Sequence, residues 1–237
     1  MNLRLLTTLN RLLRRLNYFD LRLYVLRGHA HERKIDYQRR YLSFDLKPSD
    51  IVVDIGSGGE PFPFATHLVD LYPEKTQHRY NELATNKKPF IRATIEHLPF
   101  ERKSIDFVYC SHVLEHVADP AQACDELMRI GKRGYIEIPT RLSDIIFNFT
   151  KIPKFHKWYV CKAGRTLVFI EYSDYERRDI GTNIFYLFAH AKRDNPIRRM
   201  FRRNKDLITH MFMWDQRFSY YVFSKDGELV SRSTNGI

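Results

Sequence analysis

The chain has 237 residues, enough for one ample domain with an extension or for two small ones. Its 43% hydrophobic and 14% aromatic content is sufficient for a core and excludes wholesale disorder. A formal net charge of +11 points to an anionic partner: nucleic acid, phospholipid head groups or acidic glycans.

In chain order, residues 2 to 17 place Leu5, Leu6, Leu9, Leu12, Leu13 and Leu16 at helical spacing, with Arg4, Arg11, Arg14 and Arg15 between them and no acid before Asp20. A basic amphipathic helix of this kind suits an anionic membrane surface, and it equally suits docking on the protein body by its leucine face. An acid-free, arginine-rich start is also shared with mitochondrial transit peptides. Arginines interrupt every leucine cluster, so no secretory signal is expected, and no apolar run reaches the length of a membrane span. Residues 1–45 are therefore read as a basic helical extension.

Pro48-Ser49-Asp50 turns the chain into Ile51-Val52-Val53-Asp54-Ile55, an apolar β-branched strand that breaks into Gly56-Ser57-Gly58-Gly59. Glycines directly after a buried strand allow backbone amides to approach a ligand, because no Cβ intervenes and positive φ costs little. The spacing is neither Gly-x-Gly-x-x-Gly nor that of a P-loop. A second strand, residues 67–71, ends in the acid Asp70, and an acid there in a nucleotide-binding sheet accepts both hydroxyls of a ribose. Only eleven residues, Gly56 to Thr66, separate the two strands, with Pro61 and Pro63 among them. A full helix does not fit, so the expectation is a shortened first crossover whose amides, rather than a long helix dipole, hold the ligand's anionic end.

Residues 72–89 read as a loop with a short helix near Tyr80 to Ala84. Strands follow at 90–95 and 105–110. Asp119-Pro120 starts a helix that runs to Ile130 with Gly131 as its C-cap, and residues 134–139 form a fifth strand. Strands alternating with crossovers predict a doubly wound, mostly parallel sheet. Beyond it, Arg141 to Thr150 reads as a helix and residues 158–160 and 166–172 as a hairpin around Ala163-Gly164. Residues 182–192 have helical periodicity, and Arg193, Arg198, Arg199, Arg202, Arg203 and Lys205 form a basic run. Lys225-Asp226-Gly227 marks a last hairpin, expected to complete the sheet edge.

The run LPFERKSIDFVYCSHVLEHVADPAQACDELMRIGKRGYIEIP, taken with Val53-Asp54-Ile55-Gly56-Ser57-Gly58, resembles class I S-adenosylmethionine-dependent methyltransferases of the type-11 group over about residues 46–140. The short proline-containing link and the later Phe155-His156-Lys157-Trp158 are similar to a subset found with bacterial surface-glycan genes. The resemblance implies a Rossmann-like sheet of about seven strands, with residues 46–140 as the cofactor-binding core and 141–237 completing the sheet and shaping the acceptor site. It implies S-adenosylmethionine as cofactor, with Gly56, Ser57 and Gly58 near the methionine moiety and Asp54 organising that loop. Asp70, followed by Leu71, would hold the ribose. The position that usually carries an acid near the adenine is Thr94, so the backbone of Ile95 is the substitute. Ser111 and His112 would border the methyl.

A sulfonium methyl is already electrophilic, so the protein must align a nucleophile and exclude water. For a hydroxyl acceptor, His112, His116, Glu115 and His156 are the candidate bases. His112-x-x-Glu115-His116 also matches an inverted zinc-peptidase pattern, but it directly follows a strand and no downstream helix offers a third ligand, so no metal is expected. Cys110, Cys124 and Cys161 contain no Cys-x-x-Cys pair, which argues against a disulfide framework and for a reducing compartment. The combined expectation is a cytoplasmic methyltransferase, peripheral at the inner membrane surface, acting on a sugar, glycan or lipid-linked acceptor. RNA methylation and a non-catalytic membrane- or nucleic-acid-binding module are the alternatives, although no aromatic RNA-binding motif is present.

Overall fold

A computed structural model describes residues 34–74, 82–147, 156–179 and 196–234. The expected amphipathic helix at 2–17, the periodic stretch at 182–192 and Arg193 lie outside these residues. Chain contacts divide residues 1–36 from a body that spans 37–237.

Five parallel strands form the centre of the body: β1 (Val52–Ile55), β2 (His67–Asp70), β3 (Phe90–Arg92), β4 (Ile105–Ser111) and β5 (Gly131–Pro139). A strand that sequence reading misses, β8 (Thr209–Asp215), pairs antiparallel with β5 and closes the edge, giving the order β3-β2-β1-β4-β5-β8. The order reverses beside β1, and a ligand crevice opens at the carboxyl ends of the strands at such a point.

Among the described residues the main sheet has six strands where about seven are expected, and the last hairpin does not complete it. β9 (Ser219–Phe223) and β10 (Leu229–Ser233) instead join the hairpin β6 (Trp158–Ala163) and β7 (Thr166–Glu171) in a separate four-stranded sheet, ordered β10-β9-β7-β6. The alternation that marks these residues as strands does not say which edge they meet, since that depends on long-range pairing.

Period-two alternation in β4 explains the layers. Val108 and Cys110 face a core shared with Ala123, Cys124 and Leu127 of helix α2 (Pro120–Ile130), with Val160, Phe169 and Val222 of the second sheet, and with Phe218 just before it. Phe107 and Tyr109 face the other way, into an aromatic cluster in which Phe62 stacks on Tyr109 at 4.1 Å and Phe44 meets Phe107, Tyr109 and Tyr135 edge-on.

The first crossover contains turns and no helix, as its eleven residues and two prolines require. α2 begins as expected, with the Asp119 carboxylate accepting from the Ala121 and Gln122 amides at 2.9 and 3.0 Å. Gly131 caps its end as expected, its amide donating to the Leu127 carbonyl, in an extended rather than left-handed conformation (φ −91°), and it is also the first residue of β5. Glycine is needed there for closeness: a Cβ would lie 2.6 Å from Val108 Cγ2 and 2.8 Å from the Trp214 ring. Residues 82–84 are not helical. The described residues also form short helices α1 (Lys34–Tyr41), α3 (Arg141–Phe147), α4 (Asp174–Asp179) and α5 (Pro196–Arg203); α5 carries Arg198, Arg199, Arg202 and Arg203 of the basic run, and Lys205 lies just beyond it.

The tightest strand contact is at Gly134, where a Cβ would stand 2.4 Å from the Val108 carbonyl oxygen and 2.8 Å from the Trp214 ring. Neither neighbour can withdraw without parting β4 from β5 or β8. Gly134→Ala is therefore expected to cost roughly 2 kcal/mol or more and to lower the Tm by about 4–8 °C in calorimetry, with an unchanged Tm as the contrary result.

Candidate active site

The loop after β1 bends back on itself. Gly56 has φ +69° and packs so closely that a Cβ would lie 2.3 Å from Val113 Cγ2, on the loop after β4. Gly58 also has positive φ, +55°. The two loops that end the central strands thus touch, and only glycine at position 56 permits it.

Three amides of this loop, those of Gly56, Ser57 and Gly58, are engaged within the protein rather than open to a ligand as expected. The Gly56 and Ser57 amides donate to the Val69 carbonyl at 2.8 and 3.1 Å, and the Gly58 amide donates to Asp70 Oδ2 at 3.0 Å. The short crossover causes this, since it presses the loop against the end of β2. The Asp54 carboxylate is buried and accepts from the Phe62 amide at 2.7 Å, fixing the far side of the loop. The loop offers a small-residue surface and Ser57 Oγ, which is buried with no hydrogen-bond partner among the described residues.

Asp70 lies half-buried at the end of β2. Besides the Gly58 amide it accepts from the Tyr72 amide through Oδ1 at 2.9 Å. Each carboxylate oxygen carries two lone pairs, and hydroxyl ligands can share such a group with its present donors. Leu71 beside it is exposed. On the next strand end, the Thr94 hydroxyl donates to Glu96, whose other oxygen accepts from the Ala118 amide at 3.1 Å, and Ile95 is buried. An acid, Glu96, thus stands two residues beyond Thr94 and is bonded to it. The sequence contains that signal, because Glu96 precedes Leu98-Pro99-Phe100, but a two-residue offset conceals it.

On the opposite wall stands Glu137, wholly buried in β5. It accepts from Tyr37 Oη (2.6 Å), Gln38 Nε2 (2.7 Å), Ser111 Oγ (3.2 Å) and Tyr135 Oη, and it pairs with His112 Nε2 at 3.1 Å. Burial pushes its carboxyl up, but the hydrogen bond and charge of His112, followed by Tyr135 and Tyr37, outweigh that and hold it at about 2. His112 has φ +58°, a strained backbone for a non-glycine residue, held by its amide donating to the Glu137 carbonyl at 2.8 Å. Its ring lies between two carboxylates, Glu137 and Glu115 (3.3 Å from Nδ1). Burial lowers its pKa, yet the two acids more than offset this and raise it to about 9. His112 is thus held as a cation, the protonation state opposite to the one a general base requires.

All four candidate acid–base residues come together here. Glu115 is buried, and His116 Nε2 stands 3.8 Å from its Oε1. The Glu115 carbonyl accepts from the Lys157 and Trp158 amides at 2.8 and 3.2 Å, which draws His156 against the loop. His156 is buried, its ring 4.9 Å from that of His116, with Nδ1 2.7 Å from Asp144 Oδ1, while Tyr172 Oη donates to Asp144 Oδ2 at 2.6 Å. Glu137, Asp144 and Tyr172 escape sequence reading, because each gains its role only through long-range contact.

A family model described as a methyltransferase domain, of the type-11 group, matches residues 53–136, which include both strand-end loops. Residues 53–136 are a class I methyltransferase domain. Its cofactor is S-adenosylmethionine. The domain's residues fit that group: an unpartnered buried hydroxyl at Ser57, a glycine-lined surface and a strand-end carboxylate at Asp70. No curated protein matches the chain. Among solved structures it is similar to the YcgJ protein of Bacillus subtilis, with 22% identity over 47% of this chain and 56% of that one and a TM-score of 0.38. It is also similar to an S-adenosylmethionine-dependent methyltransferase of Thermotoga maritima, described as a possible histamine N-methyltransferase, with 21% identity, coverage of 46% and 56% and a TM-score of 0.36. A third is a chain from the complex of the Haloferax volcanii Trm112 methyltransferase activator, with 16% identity, coverage of 73% and 85% and a TM-score of 0.46. The chain spans 56% of the length of each of the first two.

Stability should report the Glu137 network directly. A carboxyl held near 2, against an ordinary value of 4.5, stabilises the fold fully above the ordinary value, and the contribution is lost as pH falls towards 2. Urea midpoints of the unaltered protein are expected to decline from pH 5 to about pH 2. Glu137→Gln should start lower and decline less steeply; a parallel descent would show that the carboxylate is not the titrating group.

Proposed function

We propose that the whole protein is an S-adenosylmethionine-dependent methyltransferase acting on a polar, hydroxyl-bearing acceptor of the sugar, glycan or lipid-linked class. The observation that carries this is the close approach of the loops after β1 and β4 at the point where strand order reverses, with Asp70 and unpartnered Ser57 beside it. The cofactor, when bound, supplies an electrophilic methyl on a sulfonium. Asp70 accepts the ribose hydroxyls, Ser57 and the small surface of Gly56 and Gly58 receive the methionine moiety, and Asp54 keeps the loop in shape through the Phe62 amide. Thr94, Glu96 and the Ile95 backbone border the adenine, next to Leu71.

Ser111 and His112 face the acceptor. His112, charged between Glu115 and Glu137, turns both ring nitrogens to those acids, so it presents a fixed positive charge beside the acceptor oxygen rather than a base. The polar wall made by these groups favours a hydroxylated acceptor over an apolar one. The net charge of +11 supports an anionic setting, a lipid-linked intermediate at a cytoplasmic membrane face, as does the loose resemblance to enzymes found with surface-glycan genes. No helix among the described residues is long and apolar enough to cross a membrane.

Calorimetric titration of the full chain with S-adenosylhomocysteine tests this. One molecule per chain is expected. Asp70→Ala should weaken it about 10- to 100-fold, the range for hydrogen bonds to a charged group. Gly56→Val should abolish it, because the side chain meets Val113 at an unfavourable φ. Affinity unchanged by Asp70→Ala would refute the assigned pocket.

A further inference from the structure

The reading above leaves one cluster unused. Glu115 is 1% exposed, and neither of its carboxylate oxygens accepts a hydrogen bond among the described residues. What faces this buried carboxylate is imidazole: His112 Nδ1 at 3.3 Å and His116 Nε2 at 3.8 Å from its Oε1. Three imidazoles surround it, those of His112, His116 and His156. His112 is committed to the Glu137 wall through Nε2. One ligand atom from each of Glu115, His116 and His156 lies within 4.8 Å of the others. Metal–ligand distances of about 2.0–2.2 Å place ligand atoms about 3–4 Å apart, so side-chain rotations of roughly an ångström close this set on an ion.

The setting is built for such a group. His156 has Nδ1 at 2.7 Å from Asp144, and Asp144 is in turn held by Tyr172 Oη at 2.6 Å. A carboxylate on one ring nitrogen fixes the tautomer and directs the other nitrogen at a metal. His156 is also brought in by backbone, through the Lys157 and Trp158 amides that bind the Glu115 carbonyl. The third ligand that His112-x-x-Glu115-His116 lacks in sequence is thus supplied from the segment before β6.

We propose that Glu115, His116 and His156 bind one divalent transition-metal ion, with Asp144 as the positioning residue of His156. Two imidazoles and one carboxylate suit Zn2+, Mn2+ or Co2+ and do not suit Mg2+ or Ca2+, which take oxygen ligands. The set leaves coordination positions open, and the loop that holds it also carries His112. An acceptor hydroxyl bound to the ion would ionise at lower pH and release its proton to solvent, leaving an alkoxide to take the methyl. That role rests on the methyltransferase reading; the ion site itself does not.

The untagged full chain, stripped with chelator and dialysed, is titrated calorimetrically with ZnCl2 and separately with MgCl2, and its Co2+ form is examined by visible absorption. S-adenosylhomocysteine binding is measured on the same samples. One Zn2+ per chain is expected with no comparable Mg2+ uptake, together with Co2+ d–d bands of a four- or five-coordinate nitrogen and oxygen site. His116→Asn, at a partly exposed position, should remove the bands and weaken Zn2+ at least about 10-fold, with the circular dichroism unchanged. Glu115→Gln and His156→Asn should do the same, and Asp144→Asn should weaken Zn2+ less. No saturable Zn2+ uptake by a chain that binds S-adenosylhomocysteine would overturn the ion site, as would uptake indifferent to His116→Asn. Zn2+ uptake without S-adenosylhomocysteine binding would uphold the ion site and overturn the methyltransferase reading.

Discussion

A wholly buried carboxylate must be surrounded by donors, and at Glu137 that requirement organises the acceptor side of the molecule. Five side chains converge on it: Tyr37 and Gln38 from α1, Ser111 and His112 from the end of β4, and Tyr135 from its own strand. Without them the charge would cost several kcal/mol of desolvation. Because the demand for partners is local and strict, Ser111 and His112 are held in one geometry. The strained φ of His112 persists because both its amide and its ring are bound to Glu137.

A second constraint operates at the other wall. Eleven residues must return the chain from the end of β1 to the start of β2, and the glycine loop is drawn against β2. Its amides bond to Val69 and Asp70, and Gly56 fits against Val113 with no room for a side chain. The two walls meet where the strand order reverses, so a cofactor crevice and an acceptor surface are adjacent by construction. Cofactor selectivity in this arrangement lies with side chains, Ser57 and Asp70, more than with amides.

What the sequence disclosed follows the range of the interactions concerned. β1 to β5, the hairpin at Ala163-Gly164, the turn at Lys225-Asp226-Gly227 and the Asp119-Pro120 helix start are set by neighbours in the chain, and all are present. Partner choice is not local. β8 was missed, and the last hairpin joined a second sheet, because edge pairing between residues some 75 positions apart leaves no mark in periodicity. Gly131 is legible as the helix cap and is one, but the Trp214 ring from a distant strand, which leaves no room for a side chain there, is not legible. The four acid–base candidates were legible as residue types, but the charge on His112 depends on Glu137, 25 positions away, and the place of His156 depends on amides that bind the Glu115 carbonyl.

The central claim, that the glycine loop and Asp70 together hold the cofactor, is tested most directly by amide hydrogen exchange with and without S-adenosylhomocysteine. The account predicts slower exchange at residues 56–59 and 70–72, with the second sheet at 219–233 unchanged. Protection confined to other segments, with both loops indifferent to the ligand, would contradict it.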